Sequence, residues 1–185
     1  MNVAEISDET LVKRAVDVDR AGFAALVSRH YDHIFRIAWK WCGSRDDAED
    51  IAQDVCLRLA RNIASFDGNA RFSTWLYRVV LNATRDHHRR RQADARKVAD
   101  WQADPTQALR STSDLATDDH RLSELWQAVR QLPEKQCDAV MLVFGEELSH
   151  ADAARVLGCA EGTVSSNIHD AKKRLKLLLQ QEVRV

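Results

Sequence analysis

Tyr77, Arg78, Asn82 and Arg85 sit close together along one helical stretch, and Arg89, Arg90 and Arg91 follow them. An unpaired base needs a ring to stack on and polar groups to meet its edge. Aromatic, amide and guanidinium side chains supply both. The polar loop just before them, with Asp67, Asn69 and Arg71, could wall a pocket for a base swung out of the duplex. A plainer reading stands beside this one. Aromatic residues at helical spacing usually pack a core, and an arginine cluster can be a solvated helix end favoured by the dipole.

A second set lies near the end of the chain, in "LSHADAARVLGCAEGTVSSNIHDAKKRLKLLL". Ser149 and Asp152 form a helix-start pattern, Gly158 supplies a tight turn, and Ala153 and Ala154 allow a close crossing. Helix, glycine turn and helix make a helix-turn-helix, whose second helix enters a major groove. Its outward residues are Glu161, Thr163, Ser165, Ser166, Asn167, His169 and Asp170. Lys172, Lys173, Arg174 and Lys176 suit phosphates, which give affinity without sequence information. A plain helical hairpin is the alternative.

These residues need helices to position them, and helical periodicity dominates the chain. In "FAALVSRHYDHIFRIAWKW", Phe23, Leu26, Val27, His30, Ile34, Ile37, Ala38 and Trp41 recur at three- and four-residue spacing. Gly43 breaks that helix. The next starts at Ser44 in an acidic first turn and turns Ala48, Ile51, Ala52, Val55 and Leu59 inward. Asp67-Gly68 marks a turn. The helix after it carries an apolar stripe of Phe72, Trp75, Leu76, Val79, Val80 and Ala83, with Tyr77, Arg78, Leu81, Asn82 and Arg85 on the other side. Periodicity fades from Ala93 to His120 and resumes with Leu122, Leu125, Trp126, Val129 and Leu132. The pattern predicts an all-α protein of two small helical domains, residues 1–92 and 121–185, joined by a flexible linker over 93–120.

Bulk properties narrow the function. The 185 residues include only 6 glycines and 2 prolines, and the formal net charge is −1. Charge is unevenly placed: residues 1–92 hold 15 basic and 13 acidic groups, residues 93–120 hold 3 and 6, and residues 121–185 hold 9 of each. Cys42, Cys56, Cys137 and Cys159 form no C-x-x-C pair and read as free thiols in a reducing cytoplasm. No signal peptide or membrane span is expected. Adjacent His87 and His88 diverge by about 100° on a helix, so no metal site is expected. No nucleophile, base and orienter come together, and no cofactor-binding loop is seen, so an enzyme is not expected.

Taken together, these segments resemble the bacterial RNA polymerase sigma factors of the extracytoplasmic-function (ECF) type. The resemblance rests on "FAALVSRHYDHIFRIAWKW", "DAEDIAQDVCLRLARN", "FSTWLYRVVLNATRDHHRRR", "LPEKQCDAVML" and "LSHADAARVLGCAEGTVSS". It implies that the first domain is a sigma-2 module and the second a sigma-4 module. It implies that Glu49, Asp50, Gln53 and Asp54 dock on the clamp helices of core polymerase. Asp67, Asn69, Arg71, Tyr77, Arg78, Asn82, Arg85, Arg89 and Arg90 then meet the −10 element, where a base is flipped. Thr163, Ser165, Ser166, Asn167, His169, Lys172 and Lys173 meet the −35 element, while the same module grips the polymerase flap. The acidic linker threads polymerase channels that later hold nucleic acid. An anti-sigma factor, often membrane-anchored, is an expected partner. In one place the chain departs from the pattern. Many relatives carry arginines in the recognition helix, whereas "VSSNIHDA" has Ser165, Asn167 and Asp170 there. Two other functions fit the same residues: a helix-turn-helix regulator acting without polymerase, or a decoy that binds an anti-sigma factor.

Overall fold

The computed structural model describes residues 6–68, 71–101 and 120–182, and for 97–101, 120–123 and 181–182 only the backbone. Among the described residues every regular element is helical. The chain divides into two compact units, residues 1–39 with 45–110 and residues 40–44 with 111–185.

The first unit holds α1 (Asp8–Val16), α2 (Arg20–Cys42) up to Trp39, α3 (Arg45–Asn62), a 3-10 turn at Ile63–Ser65 and α4 (Phe72–Trp101). Ser7 caps α1 by accepting from the Thr10 amide. Asp19 starts α2: its Oδ1 accepts from the amides of Ala21 and Gly22 at 2.9 and 3.2 Å. The core is built from Leu11 and Val12 of α1, Leu26, Ile34 and Ile37 of α2, Ile51, Val55 and Leu59 of α3, and Leu76 and Val80 of α4. Each such side chain contributes about 2 kcal/mol by leaving water. Gly68, at φ 73°, turns the chain in the left-handed region where a side chain would be strained.

Two expectations for α4 change. The helix does not stop near Gln92 but continues through Ala93 to Trp101. The expected linker residues 102–119 lie outside the described residues. Tyr77 and Leu81, expected on the outward side, are buried at 8% and 3% exposure. Tyr77 meets His33 of α2 edge-on, with ring centroids 5.3 Å apart.

The second unit contains α5 (His120–Arg130), α6 (Glu134–Val140), a π-helical turn at Met141–Gly145, α7 (His150–Leu157) and α8 (Glu161–Glu182). Val129, Leu132, Cys137, Val140, Met141 and Ala171 form a common core. Burial pushes the Cys137 thiol up to about 12, with the neighbouring Asp138 charge adding to the effect, so this thiol stays protonated and inert at neutral pH. Ser149 caps α7 as expected, accepting from the Asp152 amide at 3.1 Å. Gly158, at φ 66°, closes α7 in the left-handed conformation. Ala153, Ala154, Val164, Ile168 and Ala171 are buried where α7 and α8 cross.

Candidate nucleic-acid interface

The outward face of α4 is narrower than its sequence pattern indicates. Arg78 and Asn82 are exposed, Arg85 is half-buried, and Arg89 is exposed. Their spacing of four, three and four residues makes one stripe along the helix. At its N-terminal end lies a cluster of rings that the sequence pattern did not single out. Phe66, from the chain entering the loop, stands 5.8 Å from both Phe72 and Trp75, and Phe72 is 5.7 Å from Trp75. Phe72 is buried, whereas Phe66 and Trp75 are half-buried and keep an open surface. Above them the loop exposes Asp67 and Arg71. Asn69 lies outside the described residues.

The basic end of α4 is partly neutralised from within. Asp47, in the first turn of α3, accepts from His87 Nε2 at 3.1 Å and also from Arg91. Arg58 of α3 joins Asp54 at 2.8 Å and Asp86 of α4 at 2.9 Å. Arg89 lies 3.9 Å from Asp86. Arg90 is exposed. So of the cluster Arg89, Arg90 and Arg91, two have a carboxylate partner within the fold.

On α3, Asp46, Asp50, Gln53 and Leu57 are exposed at spacings of four, three and four, which makes an outward stripe; Leu57 is 56% exposed. Asp50 and Gln53 thus share a face. Glu49 and Asp54 are half-buried and hold Arg45 and Arg58 within the helix, so they lie outside that stripe.

In α8 the buried stripe of Val164, Ile168 and Ala171 leaves Thr163, Ser165, Ser166, His169 and Asp170 exposed, with Asn167 half-buried. Ser165 Oγ donates to the Glu161 carbonyl at 3.3 Å and lies 3.0 Å from His150 Nδ1 of α7. It therefore helps hold the two helices together. Lys172, Lys173, Arg174 and Lys176 are exposed, and Lys172 Nζ lies 5.6 Å from the centre of the exposed Phe144 ring. No group of three or more metal-ligating side chains occurs among the described residues.

Residues 26–93 match the family described as Sigma-70 region 2, and residues 122–175 match Sigma-70, region 4. The chain is 36% identical over 175 residues to the ECF RNA polymerase sigma factor SigM of Mycobacterium tuberculosis, covering 95% of this chain and 86% of that one. It is 30% identical over 179 residues to the ECF RNA polymerase sigma factor SigW of Bacillus subtilis, covering 91% and 95%. The chain belongs to the ECF RNA polymerase sigma factors. Among solved structures, the sigma factor RpoE of Bartonella quintana, in complex with the anti-sigma factor NepR, matches with a TM-score of 0.64 and 25% identity, covering 85% of this chain and 96% of that one. CnrH, in complex with the cytosolic domain of CnrY, shares the fold with a TM-score of 0.66, covering 94% and 97%. In this ECF sigma factor the ring cluster, the α3 stripe and most of α4 fall within the region 2 match. The helix-turn-helix falls within the region 4 match, and α1 precedes both.

Proposed function

We propose that this chain directs core RNA polymerase to promoters and opens the −10 element by trapping an unpaired base at the ring cluster Phe66, Phe72 and Trp75. The observation that carries this reading is that Phe66 and Trp75, packed together, stay partly exposed next to an exposed loop and to the Arg78–Asn82–Arg85 stripe. An aromatic face offers stacking to any base, and the amide and guanidinium groups beside it supply edge and phosphate contacts. Asp50, Gln53 and Leu57 form the surface offered to the polymerase clamp. The outward face of α8 meets the −35 element, with Lys173, Arg174 and Lys176 on phosphates. Bond-making stays in the polymerase, so this chain acts without catalytic residues of its own.

An anti-sigma factor is the second proposed partner. Support comes from the Bartonella relative, solved with one bound. Phe23, Val27, Tyr31 and Cys56 line a shallow groove between α2 and α3, next in sequence to exposed Leu57, and give such a partner an apolar surface. We place the chain in the cytoplasm, where polymerase works. No helix among the described residues is long and apolar enough to cross a membrane.

The test is transcription from fragmented genomic DNA by bacterial core polymerase with and without the chain, mapping new 5′ ends. New starts sharing a −10 motif are expected. Trp75→Ala should weaken holoenzyme binding to the single-stranded −10 sequence by roughly 5- to 100-fold, the worth of one stacked base. No new starts from a folded protein with active core would favour the regulator or decoy.

A further inference from the structure

The ring cluster is held from behind by a helix outside both matched family regions. Asp8 opens α1, and its carboxylate is shared between two residues of α2. Oδ1 accepts from Arg29 at 2.8 Å, and Oδ2 lies 3.0 Å from His30 Nε2. A carboxylate can only accept, so the hydrogen of that bond sits on Nε2. The bond fixes the tautomer and the plane of the imidazole. The His30 side chain is only 14% exposed, and its ring lies 5.2 Å from the ring of Phe72, tilted by 58°. Phe72 in turn touches Phe66 and Trp75. The same helix α1 packs against the turn Ile63–Ser65, which delivers Phe66, and Ile63 is buried at 5% exposure. Thus α1 supports the ring cluster twice: through the backbone before Phe66, and through Asp8 and His30 behind Phe72.

We propose that Asp8 and His30 are positioning residues for promoter opening. The Asp8 carboxylate sets the His30 ring, which holds Phe72 and so fixes the ring surface that receives the unpaired base. This inference rests on the assignment of the ring cluster to the −10 base. Arg29 shares the carboxylate and so also ties α2 to the start of α1.

The experiment uses holoenzyme assembled from core polymerase and the full chain. Two affinities are measured for each variant: for core, and for the single-stranded non-template −10 strand of a promoter mapped as above. Asp8→Ala and His30→Phe should each weaken the single strand by at least about threefold, since a misplaced ring loses part of one stacking interaction. Core affinity should hold within about twofold, because the α3 stripe is untouched. Asp8→Ala combined with His30→Phe should bind no worse than the weaker single variant, as expected of residues acting in series. His30→Gln, which can keep the bond to Asp8 but has no ring, should fall with His30→Phe.

The proposal is overturned if the Asp8 and His30 effects simply add, or if core and single-strand affinity fall together. Trp75→Ala separates this proposal from the reading beneath it. If Trp75→Ala binds the single strand normally, the base-trapping site itself is wrong, and this inference goes with it. If Trp75→Ala weakens binding while Asp8→Ala and His30→Phe do not, only the positioning role falls.

Discussion

At the residue scale, the recognition helix has one side chain that works against its own task. Asp170 is exposed one turn before Lys173 and Arg174 on α8. A carboxylate there repels phosphate and offsets part of the lysine attraction. Asp170→Asn should therefore raise affinity for duplex −35 DNA about two- to fivefold at low salt, the scale of one exposed charge pair. The gain should shrink as salt screens it. Titrating holoenzyme with fluorescent promoter duplex at two salt concentrations reads both effects; an unchanged affinity at low salt would place Asp170 away from DNA. On the proposed −35 reading, base discrimination by this face would fall to Thr163, Ser166 and His169, since Ser165 is held by His150 and the Glu161 carbonyl. Hydroxyls accept or donate with little preference, so that readout would be broader than arginine on guanine allows. Much of this face was legible in the sequence, because a single buried stripe on α8 defines its outward side. Tyr77 was not. A one-sided pattern assumes one covered face, but α4 packs against α3 and also meets α2 through His33 and Tyr77. The covered arc therefore widens to take in Tyr77 and Leu81.

At the element scale, the sequence shows where helices are buried better than where they end. Periodicity reports a covered face, and Ala93 to Arg96, which follow Gln92 on α4, are all exposed. Alanine, lysine and arginine still favour helix without any stripe, so the helix runs on to Trp101. The ring cluster was hidden for a different reason. Phe66 comes from a loop and Phe72 from the helix after it, and only the fold of the turn brings them together. Pairing of Asp8 with Arg29 and His30, across 21 and 22 residues, is equally invisible to local pattern. Asp19 gives a testable consequence at this scale. It starts α2 and also accepts from Arg14 Nε of α1 at 2.7 Å. The Arg14 hydrogen bond, followed by the Gly22 amide, holds its carboxyl below the ordinary value of 3.8. A carboxyl with a lowered folded-state pKa stabilises above its unfolded value, and that stability is lost as pH falls through the folded one. The α1–α2 junction should therefore keep its amide protection from pH 7 to about 4 and lose it only in stronger acid. Asp19→Asn should show weaker protection at pH 7 and little further change on acidification. Amide exchange of α1 followed across that range is the measurement; equal protection in both proteins would deny Asp19 this role.

At the scale of the whole molecule, the question is whether this chain can hold promoter DNA by itself. Its formal net charge of −1 gives no general attraction to a polyanion. Affinity for phosphate must come from local cations, and several are engaged within the fold. Arg91 is held by Asp47, and Arg58 by Asp54 and Asp86. On the proposed reading, the exposed cations that would meet duplex phosphates are Arg89 and Arg90 on α4 and Lys172, Lys173, Arg174 and Lys176 on α8, while Arg78 lies by the unpaired base. If all of them met phosphates, log affinity would fall against log salt with a slope of about −5, and each cation removed would flatten it by about one. Those cations belong to two compact units, and a unit acting alone brings only two or four of them. The free chain should then show a shallow slope of roughly −2 to −4 and weak binding near physiological salt. Core polymerase, by fixing both units on one promoter, should tighten binding and steepen the slope. Lys173→Ala should reduce the slope in holoenzyme by about one without changing which promoters are chosen. Filter binding of one duplex promoter across a salt series, with and without core, reads these quantities together. A regulator that needs no polymerase makes the opposite prediction: tight binding and the full slope from the chain alone.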